Sequence, residues 1–146
     1  MTTELKEFNE LTLDELYQLL QLRSAIFVVE QDCIYQDIDG KDQKAWHLLL
    51  KDGKELIAYT RIFKPGDYFK NPSIGRVLVR EDRRKEKWGH AIIKASKEAI
   101  LSSFPDAVIE ISAQTYLQKF YESHGFSQIG ESYLEDGIPH IRMVTN

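Results

Sequence analysis

The sequence predicts a mixed α/β fold, and three observations support it. Residues 46–50 and 55–63 form two apolar runs joined through an Asp-Gly pair, which is a favoured hairpin turn. Residues 13–23 and 91–100 place apolar side chains at helical spacing. Further strand and helix patterns alternate towards the end of the chain. The predicted order is one strand, two helices, three strands, a helix, a strand, a helix and two strands.

The elements of the first half follow from local signals. Residues 5–8 form a weak short strand. Thr12 and Glu15 have the spacing of a capping box, so the first helix begins directly after Thr12. Residues 24–31 follow without a turn signal, and we predict a second short helix there. An acidic loop, residues 33–44, then leads to the predicted hairpin.

The elements of the second half are bounded by proline and glycine. The helix that begins at Ala91 ends near Ser103, before a Phe-Pro pair that stops it. Gly125 is a natural left-handed cap for a short helix over residues 116–123. The remaining apolar segments are predicted strands: residues 74–79, residues 107–112, and a final hairpin of residues 127–133 and 138–143.

Composition limits the kind of protein and its partners. The 146 residues are 42% hydrophobic with a net charge of −4, so we expect one globular domain over residues 1–146 that does not bind nucleic acid broadly. The single cysteine excludes an internal disulfide and a multi-cysteine metal site. The first residues lack the build of a signal peptide, and no apolar run approaches the ~20 residues that span a bilayer. We therefore expect a cytoplasmic protein without a metal or a membrane partner, and an isologous homodimer is the commonest assembly for such a domain.

A basic turn lies between the predicted strand 74–79 and the helix that follows it. Residues 84–89 read Arg-Lys-Glu-Lys-Trp-Gly. The first amides of a helix lack partners and carry partial positive charge, so a basic turn at that point can hold a phosphate. Neither a P-loop nor a dinucleotide-binding glycine pattern occurs. The turn therefore predicts a small phosphorylated partner, although an exposed turn can also be basic without any ligand.

The basic turn resembles motif A of the GNAT superfamily of N-acetyltransferases, written R/Q-x-x-G-x-G/A. Arg84 fills the first place and Gly89 the last, while Lys87 replaces the middle glycine. Residues 121–126 resemble the Y-x-x-x-G-F motif of the same superfamily. Further segments resemble its ElaA-like branch, which accepts lysine at the middle position: residues 22–23, 27–31, 35–40, 74–77, 113–114 and 135–140.

This resemblance implies a GNAT acyl-CoA acyltransferase fold, with a central mixed, largely antiparallel sheet flanked by about four helices. It implies acetyl-CoA as co-substrate and an amine as acceptor, which react directly in a ternary complex. Tyr121 is then the general acid for the CoA thiolate, and a backbone amide near Leu78 or Val79 is the oxyanion donor. The residues expected at CoA are Val77, Leu78, Val79, Arg84, Lys85, Glu86, Lys87, Trp88, Gly89, His90 and Gln114.

The general base is left open among several groups. A lysine-like amine has a pKa of ~10.4 and must lose a proton before it attacks. Glu110 is a candidate if its strand face opens on the cleft, although a paired or exposed glutamate is the simpler interpretation. His47 and His140 are further candidates, with a hydrogen-bonded structural histidine as the alternative for each. A chain of ordered water is an equally good base.

The acceptor side is predicted from the acidic loop and the strands beside it. The loop cannot be an EF-hand. With Gly40 at the sixth position of such a loop, Tyr35 and Trp46 take the first and twelfth positions, where carboxylates are required. Its aspartates could attract a cationic amine, although an ordinary solvated turn also explains such a stretch. The residues expected at the acceptor are Tyr35, Asp37, Asp39, His47, Arg61 and Arg76.

Two other classes of function remain beside the acetyltransferase. The first is a module that binds CoA or an acyl-CoA as a sensor without turnover, and the second is an interaction domain in which the basic turn is merely solvated. Within the enzyme hypothesis, Cys33 as an acyl-carrying nucleophile is the alternative to a buried, inert thiol.

Overall fold

The computed structural model describes residues 1–146, which form one seven-stranded sheet with helices on both faces. The strands are β1 (Thr2–Glu7), β2 (Trp46–Asp52), β3 (Glu55–Phe63), β4 (Ser73–Val79), β5 (Glu110–Gln114), β6 (Phe126–Glu135) and β7 (Ile138–Thr145). The helices are α1 (Leu13–Arg23), a π-helical segment (Ser24–Glu30), α2 (Trp88–Ser103) and α3 (Gln118–Glu122). This mixed α/β architecture confirms the predicted fold class.

The strand order is β1-β2-β3-β4-β5-β7-β6. All neighbours are antiparallel except β4 and β5, which run parallel and pair at one position alone, Ser73 with Glu110. Beyond that pair the two strands diverge. Because a strand inside a sheet normally bonds on both sides, the divergence leaves the β5-facing edge of β4 without a partner strand.

Two apolar cores lie on the two faces of the sheet. The larger core contains Ile92, Ile93 and Ile100 of α2 packed on the inner strands, and all three side chains are fully buried. The smaller core contains Leu19 of α1 and Phe27 of the π-helical segment. Each such burial contributes about 1.5–3 kcal/mol, so both faces hold the strands in place. None of the helices is both long enough and apolar enough to cross a membrane.

Several predicted boundaries differ from the structure by a few residues, and three of these differences have a clear physical reason. The first strand covers Thr2–Glu7 instead of residues 5–8, because pairing with β2 sets its extent. Residues 24–30 do not form a separate second helix but continue α1 as a wider π-helical turn, with the Ser24 amide shared between the carbonyls of Leu20 and Gln21. The strand predicted at residues 107–112 begins at Glu110, where pairing with β7 begins.

Strand β4 contains a bulge beside the point of divergence. Gly75 lies opposite Arg61 and Leu78 lies opposite Tyr59, so two residues of β4 face Thr60 alone. One of the two, Arg76, has a φ of 48°, which is a left-handed conformation that non-glycine residues rarely adopt. Bulges re-aim side chains and backbone groups near functional sites. Periodicity alone could not predict this one.

Candidate active site

A cavity of about 420 Å³ opens where β4 and β5 diverge, which is a size typical of small-molecule sites. Its wall combines these two strands with the π-helical segment, α3 and the turn between β6 and β7. The predicted site residues that line it are Tyr35, Arg61, Arg76, Val77, Leu78, Val79, Arg84, Gly89, Gln114, Tyr121 and His140. The predicted site residues that lie outside its wall are Asp37, Asp39, His47, Lys85, Glu86, Lys87, Trp88, His90 and Glu110.

The free edge of β4 presents backbone groups to the cavity. The Arg80 amide donates to the Ile57 carbonyl at 2.8 Å. Since hydrogen bonding alternates along an antiparallel strand, Val79 directs its own amide and carbonyl away from β3. The Val79 carbonyl accepts a hydrogen bond from Arg84 Nε at 3.2 Å, in agreement with that direction. An extended ligand can therefore bond to β4 in place of the missing strand.

The N-terminus of α2 faces the mouth of the cavity through Gly89. No side chain caps this sixteen-residue helix, so its first amides are available to an anion. Most of the arginine charge beside it is already paired: Arg80 with Glu55, Arg83 with Asp52 and Glu86, and Arg84 with Glu30. Lys85 and Lys87 make no ion pair, and they are the free cations of the basic turn.

Lys87 adopts a left-handed conformation, with φ 64° and ψ 25°. Glycine suits the middle position of the motif for two reasons: it allows close approach of the backbone to a ligand, and it adopts this left-handed conformation without strain. A side chain in this region costs about 1–2 kcal/mol, whereas glycine adopts it freely. The Lys87 side chain is exposed and adds nothing to the core.

We expect Lys87→Gly to raise the free energy of unfolding by about 0.5–1 kcal/mol, because relief of the left-handed strain exceeds the added backbone entropy of the unfolded chain. Urea unfolding measures this change. Lys85→Gly is the matched control, since it removes the same charge from a residue with ordinary φ, and it should lower stability. Equal destabilisation by both substitutions would contradict the argument from strain.

Tyr121 of α3 lies at the inner wall of the cavity and is 6% exposed. Its ring packs edge-on against Phe120 and Phe126, at centroid distances of 5.1 Å and 5.9 Å. Burial raises the pKa of Tyr121, so the hydroxyl keeps its proton at neutral pH. No protein group accepts that proton in a hydrogen bond, so the hydroxyl remains available to a bound molecule.

Glu110 was a candidate base only if its side chain opened on the cleft, and it does not. Its carboxylate is 3% exposed and does not line the cavity. Arg142 binds it through Nη2 at 2.6 Å, and Asn71 donates to it at 3.3 Å. Glu110 is therefore a paired structural residue, because the strand face that carries it opens on the cleft only further along β5, at Ser112 and Gln114.

The acidic loop is neither the anionic rim nor the ordinary solvated turn that were the two interpretations of its sequence. Three arginines neutralise its three aspartates within hydrogen-bond distance. Arg23 binds Asp37 and Asp42, each at 2.8 Å. The other contacts are Arg61 with Asp39 and Asp42, each at 2.9 Å, and Arg76 with Asp37 at 2.7 Å and Asp39 at 3.4 Å. This Asp–Arg network holds the loop against the sheet and leaves no net negative charge for a cationic amine.

His47 is a structural residue within the same region. It is fully buried, with Nδ1 at 2.6 Å from the Tyr59 hydroxyl and Nε2 at 2.9 Å from the Asp42 carbonyl. Burial lowers its pKa, so the ring stays neutral at pH 7. Both nitrogens are occupied, and neither can reach an acceptor in the cavity.

Stability should fall in acid because paired carboxylates must be protonated. Burial opposes ionisation of Asp39, but the hydrogen bonds and charge of Arg61 outweigh it and lower its pKa to about 2. The same balance, with Lys51 and Lys6 as partners, lowers the pKa of Glu15 to about 2. The ordinary pKa values are 3.8 and 4.5, so the unfolded chain takes up protons first.

We therefore expect the midpoint of urea unfolding to be constant above about pH 5 and to fall steadily from about pH 4.5 to pH 2. Urea titrations at half-unit intervals of pH would measure it. A midpoint at pH 3 equal to that at pH 6 would show that these ion pairs contribute no net stability.

A polar cluster that was not predicted from the sequence contributes Ser112, Glu135 and His140 to the wall of the cavity. It comprises Ser112 of β5, Tyr133 and Glu135 of β6, and His140 of β7. Strand register brings these residues together, because Tyr133 pairs with His140 and Glu135 lies two residues further on the same face. The alternation of side chains along the predicted hairpin around residues 135–137 was the sequence signal that could have placed these residues on one face.

Aromatic side chains form another part of the wall that was not predicted. Phe63 stacks on Tyr68 at 5.0 Å between ring centroids, and Tyr68 meets Phe69 edge-on at 4.8 Å. All three line the cavity. Tyr68 and Phe69 belong to the loop after β3, where no period in the sequence indicates which side chains turn inward.

Cys33 is buried at the wall of the cavity, and its thiol donates a hydrogen bond to the Asp136 carbonyl at 3.4 Å. No histidine bonds to its sulfur. Nothing in this geometry would activate a thiolate, and the contact instead joins the acidic loop to the β6–β7 turn.

Comparisons with known proteins identify close relatives. The profile of the acetyltransferase (GNAT) domain matches residues 13–146. The protein ElaA of Escherichia coli K12 is 47% identical over 137 residues, which cover 92% of this chain and 90% of ElaA. The crystal structure of E. coli ElaA has a TM-score of 0.92 at 42% identity, and each chain is covered completely. An acyl-CoA N-acyltransferase from Pseudomonas aeruginosa is equally similar, with a TM-score of 0.93, 38% identity and complete coverage of both chains.

Proposed function

The chain belongs to the ElaA-like branch of the GNAT acetyltransferases, and from this premise we propose that it transfers an acetyl group from acetyl-CoA to an amine by direct attack in a ternary complex. The membership agrees with the resemblance seen in the sequence. The observation that carries the proposal is the hydroxyl of Tyr121, buried, protonated and free of partners inside a cavity next to an unpaired strand edge.

The free edge of β4 suits the pantetheine arm of CoA. The arm carries two amides, which can pair with backbone groups of Val77 and Val79 as an added strand would. The pyrophosphate is then directed to the uncapped N-terminus of α2 and to Lys85 and Lys87. Arg84 can join it by exchanging Glu30 for phosphate, since their ion pair is exposed and contributes little.

The chemistry follows from the groups around the thioester. The neutral amine attacks the acetyl carbon, and the Val79 amide stabilises the oxyanion that forms. As the tetrahedral intermediate collapses, the C–S bond breaks and Tyr121 supplies a proton to the departing sulfur. An amine that arrives as an ammonium ion loses one proton before it attacks and a second as the intermediate collapses. The second balances the proton given to sulfur, and His140 is the candidate that lines the cavity for the first. The three groups with a role in this reaction, the Val79 amide, Tyr121 and His140, all belong to residues of the cavity wall, and the reaction has no covalent enzyme intermediate.

Thiol release from acetyl-CoA, measured with a thiol reagent across a panel of amines, tests this proposal together with a thermal shift induced by CoA. We expect CoA to raise the melting temperature and an amine to stimulate thiol release. If CoA raises the melting temperature but no amine stimulates thiol release, the sensor function is favoured. Absence of a shift at millimolar CoA would overturn CoA binding and favour an interaction domain.

A further inference from the structure

We infer that the acceptor amine enters as an ammonium ion that donates to both His140 and Glu135, and that this pair takes its proton. The inference rests on the proposed acetyl transfer and adds to it an acceptor site, a second residue in deprotonation and a class of substrate. It moves the acceptor from the acidic loop to the β6–β7 hairpin.

The first observation is the direction of the two nitrogens of His140. Nδ1 lies 2.7 Å from the Ile138 carbonyl and donates its proton to it, which leaves Nε2 as the acceptor nitrogen of the neutral ring. The only polar neighbour of Nε2 is a carboxylate oxygen, Glu135 Oε2, at 3.3 Å. Two acceptors therefore face each other beside the cavity, on a histidine that is 6% exposed. A donor with two N–H groups, such as an ammonium ion, satisfies both.

The second observation is the charge of Glu135. Among the carboxylates of the cavity wall, Glu30 is paired with Arg84, whereas Glu135 has no lysine or arginine partner. Its side chain is 42% exposed, so its charge reaches the cavity. The neighbouring Asp136, which also lines the cavity, makes no ion pair. The negative charge that a cationic acceptor needs is therefore on the β6–β7 turn.

Ser112 and Tyr133 fix the orientation of Glu135. Ser112 Oγ donates to Glu135 Oε1 at 3.2 Å and contacts the Tyr133 hydroxyl. Burial raises the pKa of Tyr133, which keeps it a donor to Ser112. With Oε1 engaged in this way, Oε2 is the oxygen that faces His140. Ser112 and Tyr133 are positioning residues, since they act through the carboxylate.

The proton balance of the step is simple. The ammonium ion gives one proton to Nε2 of His140, and the neutral amine that remains has a lone pair for the acetyl carbon. After the attack the nitrogen loses a second proton, which passes through water to the Tyr121 oxygen and replaces the proton that Tyr121 gives to the departing sulfur. The imidazolium then donates from Nδ1 to the Ile138 carbonyl and from Nε2 to Glu135. Each N–H of the charged ring has an acceptor, and the new positive charge lies against a carboxylate. The proton leaves the ring to water after the product departs.

The aromatic wall indicates what the amine carries. Phe63, Tyr68 and Phe69 form a continuous apolar surface in the same cavity. The arginines of the wall are occupied by the Asp–Arg network and by Glu30, so none of them is free to bind a carboxylate or phosphate of the acceptor. The site therefore fits a primary amine with one positive charge and an aromatic or alkyl substituent.

Two probe amines and a matched control variant test the inference. Phenethylamine is an ammonium ion at pH 7, whereas trifluoroethylamine is already uncharged and needs no base before it attacks. We expect Glu135→Gln to lower kcat/KM for phenethylamine by about 100-fold, and to change the rate with trifluoroethylamine by less than about threefold. Glu131→Gln, on the exposed part of the same strand, should match the wild type with both amines. The CoA-induced thermal shift should be unchanged in both variants.

Several outcomes would overturn the inference. Glu135→Gln activity equal to that of Glu131→Gln would remove Glu135 from the reaction, and an equal loss with both amines would make its role structural. Thiol release with glucosamine or spermidine but not with phenethylamine would contradict the inference that the acceptor carries an aromatic or alkyl substituent. If Glu135→Gln no longer responds to CoA, Ser112→Ala allows the same comparison, with an expected loss of about tenfold for phenethylamine alone. Failure of the proposed function itself is distinct, because the wild type would then release no thiol with any amine.

Discussion

Replacing Tyr121 with phenylalanine is expected to lower kcat about 100-fold or more, with CoA affinity nearly unchanged. General acids contribute about 10²–10⁴-fold to rates, and the hydroxyl of Tyr121 is the protonated group of the inner wall that has no partner. The substitution removes one oxygen that makes no hydrogen bond within the protein, so the free energy of unfolding should change by less than about 0.5 kcal/mol. The substitution is therefore expected to lower kcat while leaving the free energy of unfolding and the affinity for CoA nearly unchanged.

Steady-state thiol release with saturating acetyl-CoA measures this effect, and calorimetric titration with CoA measures the affinity. Tyr17→Phe is a matched control, because Tyr17 is a largely exposed tyrosine of α1 remote from the cavity. Full turnover by Tyr121→Phe would assign protonation of the thiolate to water or to another group. A large loss of CoA affinity would instead mean that Tyr121 packs against the co-substrate.

Asp42→Asn should lower the free energy of unfolding by about 3–5 kcal/mol, the largest stability effect that we expect from a single isosteric change. The Asp42 carboxylate is 5% exposed and binds both Arg23 and Arg61. Burial opposes its ionisation, but the hydrogen bonds and charges of these arginines outweigh that effect and lower its pKa. Asparagine keeps the shape and removes the charge, so two buried guanidinium groups lose their shared counter-ion.

Urea unfolding at pH 7 measures this loss, with Asp106→Asn as the control, because Asp106 is exposed and unpaired. The control should stay within about 0.5 kcal/mol of the wild type. A loss below about 1 kcal/mol for Asp42→Asn would indicate that water or backbone rearrangement compensates the arginines. The network would then position the loop without stabilising the fold.

The sequence by itself determined those features that depend on neighbours along the chain. The capping box of Thr12 and Glu15 forms as predicted, because a helix start needs only residues three apart. The hairpin of β2 and β3 and the long helix α2 follow from their periods and turn residues. The two motifs around Gly89 and Tyr121, together with the further segments that resemble the ElaA-like branch, predicted the family.

Tertiary structure alone decided which side chains share a cavity and which are neutralised. Asp42 looked like a free anion because its partners, Arg23 and Arg61, lie 19 residues away on either side of it. Glu110 and Ser112 are two residues apart and therefore lie on the same face of β5. Only Ser112 lines the cavity, because β4 and β5 pair at Glu110 and diverge beyond it. Periodicity specifies the face on which a side chain lies. Its electrostatic environment depends on distances in space, and these were set only when the sheet brought remote segments within hydrogen-bond range.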